Sequence, residues 1–232
     1  MAIAITGCAW NREMTSAPPT QFLQSTGTPM TNKVKRLPFD HAWHAPDAKF
    51  KNYTHLVLKP ISMAYLRDDQ WKESASSMIT SREKYLEFAT EVARNWSVSL
   101  VNAFRSADNR FILTSDKSQP GTLVLEVAMT EVVFGRPETY AASWAVTGGG
   151  IAESAFLAPT MAFELRVLDG ATGRVVATAA DRRSTRIKLV DFNRFTITKA
   201  NQEICNEWSR QIMQAFNKEK FPVVKRQAFS AF

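Results

Sequence analysis

Asp40-His41-Ala42-Trp43-His44-Ala45-Pro46-Asp47 sets two imidazoles three residues apart between two carboxylates, ligand types and a spacing that suit a divalent metal. Pro38 and Pro46 bracket the stretch, and a proline-bounded connection does not hold four ligands in a rigid shell, so incidental polarity is the expectation and no metal is assigned. Gly148-Gly149-Gly150 has the composition of a phosphate-cradling loop. No Lys-Ser/Thr pair follows it, however, and Glu153 stands where a dinucleotide fold has its third glycine, so a carboxylate would repel the pyrophosphate. Ser154 lacks the glycine-framed elbow of a hydrolase nucleophile. Glu126 and Glu131, dispersed along an apolar run, read as surface or interface groups. A non-enzymatic protein without a cofactor is therefore expected. The competing expectation is an enzyme or small-ligand binder whose polar groups meet only on folding, joining Asp68, Asp69 or Glu131 to Arg182 or Arg183 in a deep pocket.

Recognition chemistry is better represented. Tyr140 to Ala158 is apolar and glycine-bearing, and within it Trp144, Gly148, Gly149, Gly150, Phe156 and Leu157 form a candidate interaction surface. Small residues let backbones approach closely, and large apolar side chains enter a partner's groove or a headgroup layer. The alternative is a crossover that packs against its own sheet. A net charge of +7 favours polyanionic surroundings without choosing among them. Arg182, Arg183, Arg186 and Lys188 make a basic patch, read as solvated surface. Nucleic-acid binding through it would need a cytoplasmic location and is not expected.

The two cysteines differ in setting. Cys205 lies beside Ile204 and Trp208 in a periodic segment, where a free thiol packs as a small apolar group. Cys8 closes Ala2-Ile3-Ala4-Ile5-Thr6-Gly7-Cys8, which resembles a bacterial lipobox. The resemblance implies cleavage after Gly7, acylation of Cys8, and a place in the cell envelope as an outer-membrane lipoprotein facing the periplasm. Each buried acyl methylene contributes about 0.8 kcal/mol, so two or three chains anchor a domain durably where one does not. A signal peptide needs a basic start and an apolar run of roughly 7 to 15 residues, more than lies between Met1 and Gly7, so a translation start upstream is expected. The longest apolar stretches fall short of the roughly 18 to 20 residues of a spanning helix. The partners expected are the membrane, through the acyl chains, and a protein or a second copy of the chain.

These groups need elements to carry them. Residues 1–7 read as the end of a signal peptide and residues 8–49 as a flexible tether, with Pro18, Pro19, Pro29, Pro38 and Pro46 among polar residues. Phe22, Leu23, Phe39 and Trp43 are placed to pin parts of it to the domain. Residues 50–217 form the folded domain and 218–232 a basic tail. Tyr53 to Ile61 reads as a buried strand, and Thr80 with Glu83 as a capping box opening a helix. Ala89, Ala93, Trp96, Leu100 and Phe104 make that helix's apolar stripe. Phe111 to Thr114 is a short strand and Gly121 to Phe134 a long one, apolar on both faces and hence central. Phe163, Leu165 and Val167 alternate with charged residues before the turn Asp169-Gly-Ala-Thr-Gly173, and the alternation resumes at Val175, a hairpin pattern. Ile204, Trp208, Ile212 and Ala215/Phe216 stripe a second helix from about Thr198 to Asn217. The class is α+β: a mixed sheet of about five strands with two long helices packed on it.

Tyr53-xx-Leu56-x-Leu58-x-Pro60, the Gly121-to-Val132 strand, and Leu168-Asp-Gly-Ala-Thr-Gly-Arg-Val-Val-Ala177 followed by Asp181-Arg182-Arg183 together resemble the bacterial lipoprotein family known as domain of unknown function 3313. The likeness covers about Phe50 to Phe216. It implies an envelope location and this architecture, and it implies no chemistry, because the family has no established activity.

Overall fold

The apolar run after Gly121 is the axis of the sheet. In the computed structural model, which describes residues 16–29, 37–67, 69–74, 79–106, 109–134, 159–184 and 194–217, the strands are β1 (His41–His44), β2 (His55–Leu58), β3 (Ile112–Leu113), β4 (Thr122–Val133), β5 (Thr160–Asp169) and β6 (Val175–Ser184). They form one sheet in the order β1-β6-β5-β4-β2-β3. β2 runs parallel to β3 and β4, and the remaining pairs are antiparallel. β4 therefore has hydrogen-bonded neighbours on both sides, as its apolar faces require. The helices are α1 (Gln21–Gln24), α2 (Gln70–Glu73), α3 (Arg82–Phe104) and α4 (Arg194–Asn217). This is the expected α+β arrangement, with six strands in place of about five. The additional strand, β1, comes from the stretch expected to be tether, so the folded unit begins before residue 50.

α3 and α4 share one face of the sheet. Ala89, Ala93, Trp96, Leu100 and Phe104 are buried along α3, and Ile204, Trp208 and Ile212 along α4. Trp96 and Trp208 lie 5.2 Å apart between ring centroids, and the edge of Phe163 from β5 meets both. Burying a large side chain of this kind contributes roughly 1.5–3 kcal/mol, so the aromatic trio fixes the helices against the sheet more firmly than any surface pair does. Cys205 is a buried free thiol in the same layer, and burial pushes its pKa up. α3 starts one residue later than its sequence suggested. Ser81, in extended conformation, takes the cap, its hydroxyl accepting the Lys84 N–H, while Thr80 lies outside.

The opposite face is covered by the N-terminal segment. Phe22 and Leu23 of α1 are buried against Ala128 and Ala180, with the Phe22 ring edge-on to Tyr65. Thr20 gives both its backbone N–H (2.5 Å) and its hydroxyl (2.7 Å) to the carboxylate of Glu164 on β5. Phe22, Leu23 and Phe39 are buried as pins, and Trp43 is half-buried on β1.

At the far end of the sheet, Asp169 closes the β5–β6 turn. Its carboxylate accepts the Thr172 N–H and hydroxyl, and Gly173 adopts φ +70°, which a residue with a side chain rarely does. Tyr53, just before β2, donates its hydroxyl to the same carboxylate at 2.8 Å and so ties the entry to β2 to the β5–β6 turn across the start of β4. Burial, then this bond, pushes the Tyr53 hydroxyl up to about 12. Burial alone would raise Asp169, but the Thr172 N–H and the Tyr53 and Thr172 hydroxyls outweigh it and hold the carboxyl below its ordinary range. The bond's contribution is thus present at neutral pH, fades as pH falls below about 4, and is lost as pH rises through about 10 to 12. Tyr53→Phe is expected to lower stability by about 1 kcal/mol at pH 7. The gap to wild type should narrow in acid and again at high pH, measured by urea unfolding. A gap of constant size across the range would rule out the coupling.

Candidate functional site

The β4 strand breaks its own alternation. Leu123, Leu125, Val127 and Met129 face the helices, but a register shift between Met129 and Glu131 transfers that face to Val132 and Phe134. Glu131 is thereby turned onto the other face, where it is 1% exposed. Arg182 of β6 meets it with Nε at 3.1 Å and Nη2 at 2.8 Å, and Arg67 adds a third cation-bearing atom at 3.7 Å. Nearer the hairpin turn, Arg166 of β5 pairs with Glu126 of β4 at 2.7 Å and stacks over the Phe22 ring. Charges alternating across β4, β5 and β6 therefore sew three strands and the N-terminal segment together.

These contacts correct two expectations. Glu131 is not a surface group, and Arg182 and Arg183 do not form a solvated patch. Arg182 is buried on one face, while Arg183, the next residue, points to the other and pairs with Asp181 at 2.7 Å. Asp181 is itself buried among the helices, where it also accepts the Trp208 indole N–H at 2.8 Å and the Asp40 N–H at 3.1 Å. Arg183 goes on to Gln211 of α4 (2.5 Å) and to the Pro38 carbonyl (3.3 Å). Glu131 and Arg182 do converge, as the small-ligand alternative required, but in a closed ion pair and not in a pocket.

A concavity lies elsewhere among the described residues, between the last turn of α4 and the β1 end of the sheet. It encloses about 270 Å³. Leu165, Val167, Ala177 and Ala179 form its floor, Ile212, Ala215, Phe216 and Phe111 one wall, and Leu37, Phe39, Ala42 and Phe50 the other. His44, Lys51 and Arg110 stand at the mouth, all exposed. Arg110 braces that mouth, donating to the carbonyls of Phe216 (3.3 Å), Tyr53 (3.2 Å) and Phe50 (3.0 Å), with its guanidinium over the Phe111 ring. Apart from His44, weighed as a metal ligand, no residue of this lining was singled out for binding from the sequence. The walls come from segments up to some 180 positions apart, which no local spacing connects.

The four ligand-type residues of the His41 stretch separate. Asp40 accepts the Arg182 N–H, His41 meets the Ser16 hydroxyl, His44 joins the cavity mouth, and Asp47 pairs with Arg174. Cys8, Asp68, Trp144, Gly148, Gly149, Gly150, Phe156, Leu157, Arg186 and Lys188 lie outside the described residues.

If Arg182 holds Glu131 in place, Arg182→Ala is expected to lose about 3 kcal/mol or more by leaving a buried carboxylate, and replacing both residues by apolar ones of similar volume should recover most of it. Chemical denaturation measures both. A loss within about 0.5 kcal/mol for the single variant would return Arg182 to the solvated surface.

Solved structures with a similar chain path include PelC from Paraburkholderia phytofirmans, a dodecamer, at 11% identity and TM-score 0.37, covering 74% of this chain and 94% of PelC. Protein XCC0632 from Xanthomonas campestris matches at 11% identity and TM-score 0.38, over 81% of this chain and 92% of its own. CT253 from Chlamydia trachomatis matches at 9% and 0.36, over 71% and 98%. No curated protein matches the chain. The family model described as protein of unknown function (DUF3313) matches residues 29–212, and the chain belongs to that family.

Proposed function

We propose that this chain is a lipid-anchored protein of the bacterial cell envelope that works by holding a partner and not by catalysis. The observation that carries the reading is the use to which the fold puts its buried charges. Glu131 with Arg182, Asp181 with Arg183 and Trp208, and Glu164 with Thr20 each close on another part of the same chain. Among the described residues, the concavity beside the last turn of α4 is walled by carbon, with polar groups at the mouth. That distribution suits recognition by burial more than proton or group transfer, which needs titratable groups converging on the reacting atoms.

The anchor is supplied by Thr6-Gly7-Cys8. Acyl chains there would keep the domain at a bilayer, on the outer membrane facing the periplasm, without any spanning segment. Among the described residues no helix is long and apolar enough to cross a membrane. Trp144, Phe156 and Leu157 remain the residues assigned to a protein partner or a second copy.

Metabolic labelling with an alkyne fatty acid tests the anchor, using the gene expressed from its native upstream region in a bacterial host. Wild type should take the label and pellet with membranes, and Cys8→Ala should lose the label. Unlabelled, soluble wild-type protein would end the envelope reading.

A further inference from the structure

We infer that the cavity between the β1 end of the sheet and the last turn of α4 binds one medium-length acyl chain bearing a carboxylate head. The inference goes beyond the anchor, because it concerns a ligand taken up by the folded domain whether or not Cys8 is acylated.

Polarity decides the class of ligand. The floor and both walls are aliphatic or aromatic, from Leu165 and Val167 to Phe39 and Phe216. Among the described residues the lining includes no Asp or Glu, while Lys51, His44 and Arg110 bring nitrogen to the mouth. A cation would be repelled by Lys51 and Arg110, whereas a carboxylate head could pair with the exposed Lys51 ammonium. An anionic head with a hydrocarbon tail matches both zones, and a net charge of +7 draws it in.

Size decides the length. At about 270 Å³ the cavity falls at the small end of ligand sites, roughly 300–1,000 Å³, which suits a single acyl chain of medium length and leaves too little room for a diacyl lipid. Arg110 sets the mouth's width, since its guanidinium fastens Phe50 and Tyr53 on one side to Phe216 on the other. The head would then sit beside Lys51 with the tail running over Ala177 toward Ile212.

The test is a titration of the purified full chain with hexanoate, octanoate, decanoate, dodecanoate and hexadecanoate, each below its micelle concentration. Calorimetry gives the affinity, and the part of the tryptophan fluorescence change that Trp43→Phe removes reports occupancy, since Trp43 lines the cavity. Affinity should rise by up to about fourfold per added methylene as far as decanoate and then level off. Lys51→Glu should weaken decanoate about three- to tenfold and leave decanol unchanged. Ala215→Phe and Ala177→Leu, which fill the space from two different walls, should each abolish binding of both while circular dichroism and unfolding midpoint stay near wild type. Three outcomes would overturn the assignment: affinity that keeps climbing through hexadecanoate, undiminished binding by both filling variants, or no saturable binding by the full chain. The last is what occupation by residues 218–232 or by a second copy would produce.

Discussion

One carboxylate in the helix-facing core organises the molecule. Asp181 accepts hydrogen bonds from the entry to β1, from Arg183 on its own strand, and from Trp208 on α4. A buried carboxylate is costly unless its oxygens are satisfied, so these donors must stay together if the domain is to fold. Holding Trp208 in that orientation also sets its contact with Trp96 and Phe163, and with it the seat of both long helices. Arg183 extends the hold to Pro38 and Gln211. The walls of the apolar cavity are therefore positioned by polar chemistry at a place the cavity does not include.

The other face of the sheet follows a different rule. Glu126, Glu131 and Glu164 alternate with Arg166 and Arg182 across neighbouring strands, under a cover made by the N-terminal segment. Slipping a strand by one residue would turn every one of these groups toward the wrong layer, so the charges specify register more than they add stability. Arg182 and Arg183 illustrate the division. Adjacent in sequence, they serve opposite faces and different carboxylates.

Much of the fold was legible because it rests on local periodicity. The stripes of α3 and α4, the long central strand and the Asp169-to-Gly173 turn follow from residue spacing alone. β1 was not legible, since four residues in a proline-bounded polar stretch have too short a pattern, and their partner strand lies some 140 positions away. Glu131 was misread because a bulge shifts the alternation beneath it, and nothing in the sequence marks where a bulge falls. The Arg cluster suggested a surface patch because charge counts along the chain ignore which way a strand's residues point. The cavity stayed hidden for a related reason: apolar residues look alike in a sequence whether they fill a core or leave a gap in it.

The docking of Thr20 and Phe22 on the sheet changes the geometry of any anchor at Cys8. Were all of residues 8–49 slack, an extended chain would let the domain roam up to about 150 Å from the bilayer, at roughly 3.3–3.6 Å per residue. With Ser16 bound to His41 and Thr20 to Glu164, eight residue steps separate Cys8 from the first docked residue, and even fully extended they span at most about 30 Å. The leash is short, and it is fastened to the flank of the sheet opposite the helices. A domain acylated at Cys8 would be confined to a thin shell at the membrane surface, and whatever it met would have to come within that shell.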